Sequence, residues 1–263
     1  MEKMLLLAAI FFVISVLFSM IGMGGGIVYV PILLFAGYSM KAAPGISLIL
    51  IMSTSLAALF HFHKNKKVDW KLALVIDPPT DIMAFVGGYF SALVPEAILQ
   101  GLLAAILLLA GTLMIRKRAE EKLGSQPNKP WYWQRHFNGV DYRVNLPLVL
   151  SATAGIGILA GMLGITGGII KLPIMVLLCG VPMDIAIATS TVMVAFTAFS
   201  GIAGHAINGN VDWRTGLTLA LVAVIGGLVG SRISLKTDKT RLKRLFGYAI
   251  LLIALIILYR LNR

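Results

Sequence analysis

Cysteine is almost absent from this chain of 263 residues. The single cysteine, Cys179, excludes an internal disulfide and any metal site built from cysteines. A free cysteine usually packs as a small apolar residue. Cys179 is therefore interpreted as part of a helix and given no chemical role.

Charged residues are also scarce, since they make up 13% of the chain against 58% hydrophobic residues. Several apolar runs approach or exceed the ~18 residues needed to cross the hydrocarbon of a bilayer. The first run, residues 4–21, is similar to a signal peptide, but the same pattern recurs internally at 146–163. The sequence therefore predicts an all-α integral membrane protein that crosses the plasma membrane several times.

Acidic residues are the scarcer charge, with 11 Asp and Glu against 23 Lys and Arg and a formal net charge of +12. In a soluble protein this excess would suggest nucleic acid as a partner. Here the basic residues lie in short stretches between apolar runs, a distribution that sets membrane orientation. The predicted partners are the lipid bilayer and a small anion, with no nucleic acid, and the sequence leaves open whether the protein is a homo-oligomer.

Catalytic motifs are absent as well. The chain has no His-Glu-x-x-His zinc motif, no Gly-x-Ser-x-Gly elbow and no nucleotide-binding loop. His61 and His63 lie in a basic loop two residues apart, a spacing that does not indicate a metal site. We therefore predict a protein that is not an enzyme and that needs no cofactor or metal.

A glycine-rich break that occurs twice organises the rest of the sequence. The first copy spans residues 22–32 and the second spans 164–174, and three glycines, one proline and two isoleucines coincide. The offset is 142 at the break and 143 afterwards, where Val68-Asp69-Trp70 matches Val211-Asp212-Trp213. The predicted organisation is a first transmembrane repeat (1–115), a basic cytoplasmic linker lying on the membrane surface (116–145) and a second transmembrane repeat (146–263).

Each repeat is predicted to hold a glycine-broken or re-entrant segment followed by three further transmembrane helices. The predicted apolar segments are 4–21, 27–37, 44–60, 72–94 and 97–115 in the first repeat, and 146–163, 169–179, 184–203, 214–231 and 242–260 in the second. The segment 27–37 would be only about 16 Å long as a helix, too short to span. Whether 4–37 and 146–180 are kinked spans or re-entrant hairpins stays open.

The distribution of basic residues indicates how the two halves are oriented. Lysines and arginines are dense in the loop 61–71, in the linker and in the stretch 232–244, whereas the loop 204–213 has none. Basic loops stay in the cytoplasm. Five crossings per half satisfy that rule for all three basic stretches, so the halves are predicted to be inverted repeats with both termini outside.

The two breaks are the predicted substrate site. Glycine lets other groups approach the backbone closely, and the helix that follows each break begins with free N–H groups that could meet on one small anion. The residues assigned to substrate binding are Gly24, Gly25, Gly26, Thr166, Gly167, Gly168, Lys171, Ser47 and Ser190. The alternatives are that the glycines only pack helices, that Lys171 snorkels to the interface and that the hydroxyls bond back to their own helix.

Two acidic residues interrupt the segment 72–94. Asp77 and Asp81 have no acidic counterparts in the second repeat, and an acid within a membrane segment is a candidate for proton coupling. The alternative is helix capping, because Asp77 precedes Pro78 and Asp81 would lie in the first helical turn. Asp77 is also close enough in sequence to Lys71 to lie near the headgroups.

With these features the repeat resembles the TauE/SafE family of sulfite exporters. The resemblance covers almost the whole chain and rests on the two breaks with their prolines, on the two Val-Asp-Trp stretches, on Ala188-Thr189-Ser190 and on the glycine-rich stretch 226–232. It implies a plasma-membrane transporter of sulfite, sulfonates or similar sulfur-containing anions, with the breaks near the substrate. The sequence departs from the family pattern at 77–81, where a Gly/Ala-rich stretch is expected.

The combined prediction is a secondary transporter that exports a small sulfur-containing anion by alternating access. One alternative is a proton-coupled importer, or a carrier of another small ion, that uses Asp77 and Asp81. A second alternative is a membrane subunit that does not transport.

Overall fold

A computed structural model of the chain describes residues 2–22, 26–115, 130–234, 248 and 250–259. Gly24 and Gly25 lie outside the described residues, as do positions 116–129 of the predicted linker and 235–247 of the last basic stretch and helix. The described part is mostly helical, which confirms the predicted helical membrane protein.

The helices follow the predicted apolar segments. In the first repeat they are α1 (Glu2–Ser19), α2 (Gly26–Phe35), α3 (Ala43–Lys64), α4 (Trp70–Ile76), α5 (Pro78–Phe90) and α6 (Glu96–Ile115). In the second they are α7 (Leu146–Leu163), α8 (Gly168–Pro173), α9 (Met183–Ile207), α10 (Trp213–Ser234) and α11 (Ile250–Tyr259). Within the described ranges, α3, α7, α9 and α10 are long and apolar enough to cross a membrane.

Matching glycines end the first two helices of each repeat. Gly22 follows α1 with a φ of +71° and Gly164 follows α7 with a φ of +66°. Gly37 and Gly180 follow the two broken segments with φ values of +86° and +72°. Left-handed backbone is unfavourable for residues that carry a Cβ, so these glycines place the chain reversals at equivalent points.

The two repeats interlock through equivalent pairs of helices. The helix α1 packs on α10 and α7 packs on α5, so the first helix of each repeat contacts the fourth segment of the other. Small residues make this contact close: a Cβ on Gly226 would meet Ser15, and one on Gly157 would meet the backbone of Thr80. The glycine pairs Gly157/Gly161 and Gly226/Gly230, each with the Gly-x-x-x-Gly spacing, therefore allow the helix backbones to approach closely.

The equivalent helices α3 and α9 pack antiparallel. At one end, beyond α3, Lys67 Nζ lies 2.6 Å from Asp184 Oδ2 near the start of α9. At the other end, a Cβ on Gly45 would lie 3.0 Å from the carbonyl oxygen of Asn210, which follows α9. The start of each helix therefore lies beside the end of its counterpart.

Basic stretches from three parts of the chain meet at the first of these ends. Arg232 Nε donates to His61 Nε2 at 2.7 Å, and Asn138 Nδ2 donates to the carbonyl oxygen of Lys66 at 2.8 Å. The loop 61–71, the end of the linker and the start of the stretch 232–244 therefore share one end of the helices.

Part of the predicted linker is a β-hairpin, which adds two short strands to the predicted helical fold. Strands β1 (Tyr132–Phe137) and β2 (Val140–Asn145) pair antiparallel with Phe137 opposite Val140. The turn is Asn138-Gly139, with φ values of 50° and 74°. Asn-Gly is the preferred pair for such two-residue turns, so this dipeptide was the available sequence signal.

The hairpin is attached to the helices through Asp69. The Asp69 carboxylate is fully buried and accepts two hydrogen bonds of 2.9 Å from the Arg135 guanidinium, one from the Tyr142 hydroxyl and one of 3.1 Å from the Leu72 amide. The last of these caps α4. One side chain therefore starts a helix and anchors the hairpin.

The environment keeps Asp69 ionised. Burial by itself would raise the pKa of this carboxyl, but the hydrogen bonds from Arg135 and Tyr142 and the charge of Arg135 outweigh burial and lower the pKa below its ordinary value of 3.8. The stabilisation from this pair is therefore complete above pH 3.8 and is lost only as the pH falls through the lower folded-state pKa.

Replacing Arg135 should release the hairpin. Arg135→Ala leaves the Asp69 carboxylate buried without its counter-charge, a change that costs about 3–5 kcal/mol. We expect faster proteolysis within 132–145 and a lower unfolding temperature in detergent. His136→Ala is the matched control, because His136 lies on the same strand and its ion pair with Asp141 is exposed. Equal proteolysis of the two variants would show that Asp69 does not hold the hairpin.

Candidate functional site

A buried lysine lies at the centre of the site. Lys171 belongs to α8, the short helix after the second break, and only 1% of its surface is exposed. Its ammonium donates to Asp77 Oδ1 and, at 2.9 Å, to Thr197 Oγ1. Lysine is rarely buried unless it is paired, so this position requires Asp77, which is 3% exposed.

A second carboxylate joins the same network through Thr197. The Thr197 hydroxyl accepts from Lys171 and donates to Asp81 Oδ1 at 2.9 Å. Asp77 and Asp81 are four residues apart, about one helical turn. We call Lys171, Asp77, Asp81 and Thr197 the charged centre, in which two carboxylates share one ammonium.

The charged centre lies deep within the helices. Thr197 is the fifteenth of the 25 residues of α9, about 21 Å from the start of that helix. Asp77 Oδ2 and the Thr80 hydroxyl are also buried there, and neither makes a hydrogen bond of acceptable geometry within the described ranges. Lys171, Asp77 and Thr197 are therefore buried and Asp81 is half-buried, and the centre contains unused polar atoms.

This geometry corrects two of the sequence interpretations. Asp77 does hold the position before α5, with Pro78 following, but its side chain makes no capping hydrogen bond. The two prolines lack N–H donors and so separate α4 from α5, and the Asp77 side chain bonds to Lys171 instead. Lys171 does not snorkel, because its ammonium is held inside the protein by these partners.

The duplication produces a neutral version of the same centre. Tyr29 of the first repeat occupies the position equivalent to Lys171, and its hydroxyl lies 3.3 Å from Oγ1 of Thr54, the equivalent of Thr197. In the second repeat, Ala220 and Val224 stand at the positions equivalent to the two aspartates. The backbone arrangement therefore occurs twice, but charged side chains occupy only one of the two equivalent sets of positions.

The two breaks approach each other close to this centre. A Cβ on Gly26, the first residue of α2, would lie 3.3 Å from the Cα of Ile165 in the other break. Ile27 lines one small cavity together with Thr166 and Gly167. A Cβ on Gly167 would lie 3.4 Å from Cε of Lys171, which connects this cavity with the charged centre.

Three predicted site residues keep their places in the breaks. Gly168 begins α8 as Gly26 begins α2, so the predicted helix starts are confirmed. The hydroxyl of Thr166 is buried and has no hydrogen-bond partner within the described ranges. Thr166 therefore offers a free polar atom to the cavity between the breaks.

Ser47 and Ser190 join each repeat to the break of the other. Ser47 Oγ donates to the Gly164 carbonyl at 2.7 Å, and Ser190 Oγ donates to the Gly22 carbonyl at 2.8 Å. Ser190 Oγ also lies 2.9 Å from the Ile187 carbonyl in its own helix. A serine hydroxyl has one proton to donate, so donation to a substrate would require these bonds to break.

The whole architecture matches one protein family. A sequence model of the family described as "Sulfite exporter TauE/SafE" matches residues 7–257. This chain belongs to the TauE/SafE family. The family consists of membrane transporters, which confirms the predictions of a multi-pass membrane transporter and of a protein that is not an enzyme.

Relatives from distant organisms carry transporter names. The chain is 27% identical to the "Probable membrane transporter protein YunE" of Bacillus subtilis, an alignment that covers 92% of each chain. It is 28% identical to the "Probable membrane transporter protein YfcA" of Escherichia coli over 89% of this chain and 83% of that protein. It is 26% identical to the "Probable membrane transporter protein MJ0441" of Methanocaldococcus jannaschii over 89% of this chain and 86% of that protein. No solved structure gives a significant match.

Sequence reasoning missed Thr197 as a member of the centre. A single threonine on an apolar helix has no distinguishing local pattern. The available signal was the repeat itself, because Thr197 is equivalent to Thr54 at the offset of 143. Other TauE/SafE proteins can be searched for the same asymmetry between their halves.

Removing the two serine hydroxyls should weaken the fold more than substrate binding. Ser47→Ala and Ser190→Ala each leave a buried glycine carbonyl without its donor, which costs about 1–3 kcal/mol. We expect lower unfolding temperatures in detergent and an unchanged KM for transport. Ser151→Ala is the control, because Ser151 is exposed and bonds to its own helix. Normal stability with a strongly raised KM would make the serines substrate ligands.

Proposed function

We propose that this TauE/SafE protein is a secondary transporter that moves a small sulfur-containing anion across the plasma membrane by alternating access. The observation that carries the proposal is the Lys171 ammonium, buried midway along α9 beside the junction of the two breaks. A buried ionisable group within the membrane marks a transport pathway.

The surroundings of Lys171 suit a small anion. The ammonium supplies the positive charge, the unpartnered Thr166 hydroxyl supplies a donor, and both border the backbone of the second break. The family description "Sulfite exporter" supports a sulfur oxyanion as the substrate. Gly167 lines the cavity between the breaks, and Gly26 and Gly168 begin the helices that follow them. We include these three glycines in the substrate site and extend it to Gly24 and Gly25 on sequence grounds.

Inverted halves would supply the two states that alternating access requires. The antiparallel packing of α3 and α9 supports inversion, since these are equivalent helices of the two repeats. The meeting of three basic stretches at one end supports five crossings per half, with that end in the cytoplasm. Broken segments at matching positions of inverted halves are typical of transporter binding sites.

The direction of transport depends on what accompanies the anion. Export of an anion alone gains about 2.3 kcal/mol per charge for each 100 mV of inside-negative potential. Uptake requires a coupled ion. The two carboxylates of the charged centre favour the second candidate function, an anion transporter coupled to protons. The family assignment favours transport over the alternative of a subunit that does not transport.

Lys171 should be essential for flux. We expect Lys171→Met to reduce uptake of radiolabelled sulfite into proteoliposomes at least tenfold, whereas Tyr29→Phe, at the equivalent uncharged position, should keep near-normal flux. Lys171→Arg keeps the charge and tests whether loss in the Met variant reflects misfolding. Full flux in a folded Lys171→Met protein would remove Lys171 from the pathway, and no sulfite or sulfonate flux in the folded parent would overturn the proposed function.

A further inference from the structure

We infer that the transported anion displaces Asp77 from Lys171 and that one proton binds to the charged centre with each monovalent anion. The inference rests on the proposed function and deepens it. It makes the protein an anion–proton symporter and identifies monoanions, such as sulfonates or hydrogen sulfite, as the preferred class of substrate.

Without a bound anion, the charged centre contains one ammonium, that of Lys171, and two carboxyl groups, those of Asp77 and Asp81. If Asp77 and Asp81 are both ionised, they leave one negative charge uncompensated beside the Lys171 ammonium. An uncompensated charge in a buried site of low dielectric is strongly unfavourable. One proton on the carboxylate pair makes the centre neutral, with Asp77 bonded to Lys171 and Asp81 bonded to Thr197.

A bound monoanion adds one negative charge to the centre. The Lys171 ammonium carries one positive charge, which the Asp77 carboxylate balances in the empty centre. An anion that binds the ammonium therefore takes the place of Asp77 as its counter-ion. The released Asp77 would restore a net negative charge unless it also takes a proton. Lys171 with one monoanion and two protonated aspartates is again neutral, so anion binding takes up one proton.

The same balance of charges makes the binding of a dianion unfavourable. A dianion on Lys171 leaves one negative charge even when both aspartates are protonated. Burial makes that charge as unfavourable as in the empty, fully ionised centre. The centre should therefore select against sulfate and thiosulfate by charge rather than by size.

The equivalent uncharged positions indicate that the carboxylates are not needed for packing. There, Tyr29 and Thr54 of the first repeat form a neutral pair, and Ala220 and Val224 of the second repeat stand at the positions equivalent to the aspartates. The chain thus contains a folded, uncharged form of the same site. The charges of Lys171, Asp77 and Asp81 have a role that the shared backbone does not require.

No other titratable group within the described ranges is bonded to the charged centre. The helix α7 has none, and on α9 Asp184 pairs with Lys67 while His205 bonds to the Gly161 carbonyl and to Ser91. On α4, Lys71 lies in the first turn and is exposed, and on α2 Tyr29 bonds to Thr54. Proton uptake at the centre is therefore assigned to Asp77 and Asp81.

Proton uptake on binding tests the inference directly. We would add methanesulfonate, a monoanion that does not titrate near neutral pH, to weakly buffered purified protein and follow a pH dye. Sulfite is unsuitable as this probe because it takes up protons itself. We expect about one proton per bound anion, an affinity that falls about tenfold per unit of rising pH and no measurable binding of sulfate.

Removing both carboxylates tests the charge count. In the double variant Asp77→Asn, Asp81→Asn, no carboxylate of the centre remains to take up a proton, so methanesulfonate should bind at alkaline pH with little proton uptake. Either single variant keeps one carboxylate that must be protonated when the anion binds, so each should still take up about one proton. Asp184→Asn is the control, because this carboxylate lies on α9 away from the centre, and it should keep the full pH dependence. The triple variant Lys171→Tyr, Asp77→Ala and Asp81→Val copies the neutral half and should fold but bind no anion.

The possible results distinguish the two proposals. Methanesulfonate or sulfite transport that follows the membrane potential, with no proton taken up on binding, would overturn symport and leave the anion transporter intact. An unchanged pH dependence in the double variant Asp77→Asn, Asp81→Asn would also overturn it. Absence of binding and flux for every sulfur anion in the folded parent protein would overturn the proposed function itself.

Discussion

The ion pair between Lys171 and Asp77 is the constraint on which the interior of this protein depends. An ammonium cannot remain at that depth alone, and its partner comes from the kink between α4 and α5. The kink exists because two adjacent prolines interrupt the helix, and Lys171 comes from the short helix α8 that follows the second break. Two irregular segments that would each be unfavourable in lipid are thus stabilised by contact with each other.

Duplication explains both the order and the asymmetry of the fold. Gly22 and Gly164, with Ser47 and Ser190, make the same contacts between repeats in both directions. The backbone and these contacts are therefore closely alike in the two repeats. The charged residues differ, because Tyr29 occupies the position at which the second repeat has Lys171. A scaffold built from two equivalent halves can change between two equivalent arrangements. Because it has one charged centre, it offers a single binding place for an ion.

A second buried carboxylate shows what a structural ion pair looks like in the same molecule. Asp69 is surrounded by a bidentate guanidinium, a hydroxyl and an amide, so its charge and both of its oxygens are satisfied. In the charged centre, the Lys171 ammonium is the counter-charge for both Asp77 and Asp81. One oxygen of Asp77 has no hydrogen-bond partner within the described ranges. The first arrangement holds a hairpin in place, whereas the second has capacity for a proton and a ligand.

Local chemistry explains how much could be read from the sequence. The helices could be predicted from hydropathy and the breaks from glycine and proline. Glycine and proline allow this because they change the backbone at their own positions. The repeat and the family also followed from the residues alone. Tertiary structure decided the partners: Lys171 and Asp77 are 94 residues apart, and no local pattern pairs them. It likewise gave Ser47 a carbonyl of the other repeat and Asp69 the hairpin, since such contacts exist only when distant helices pack.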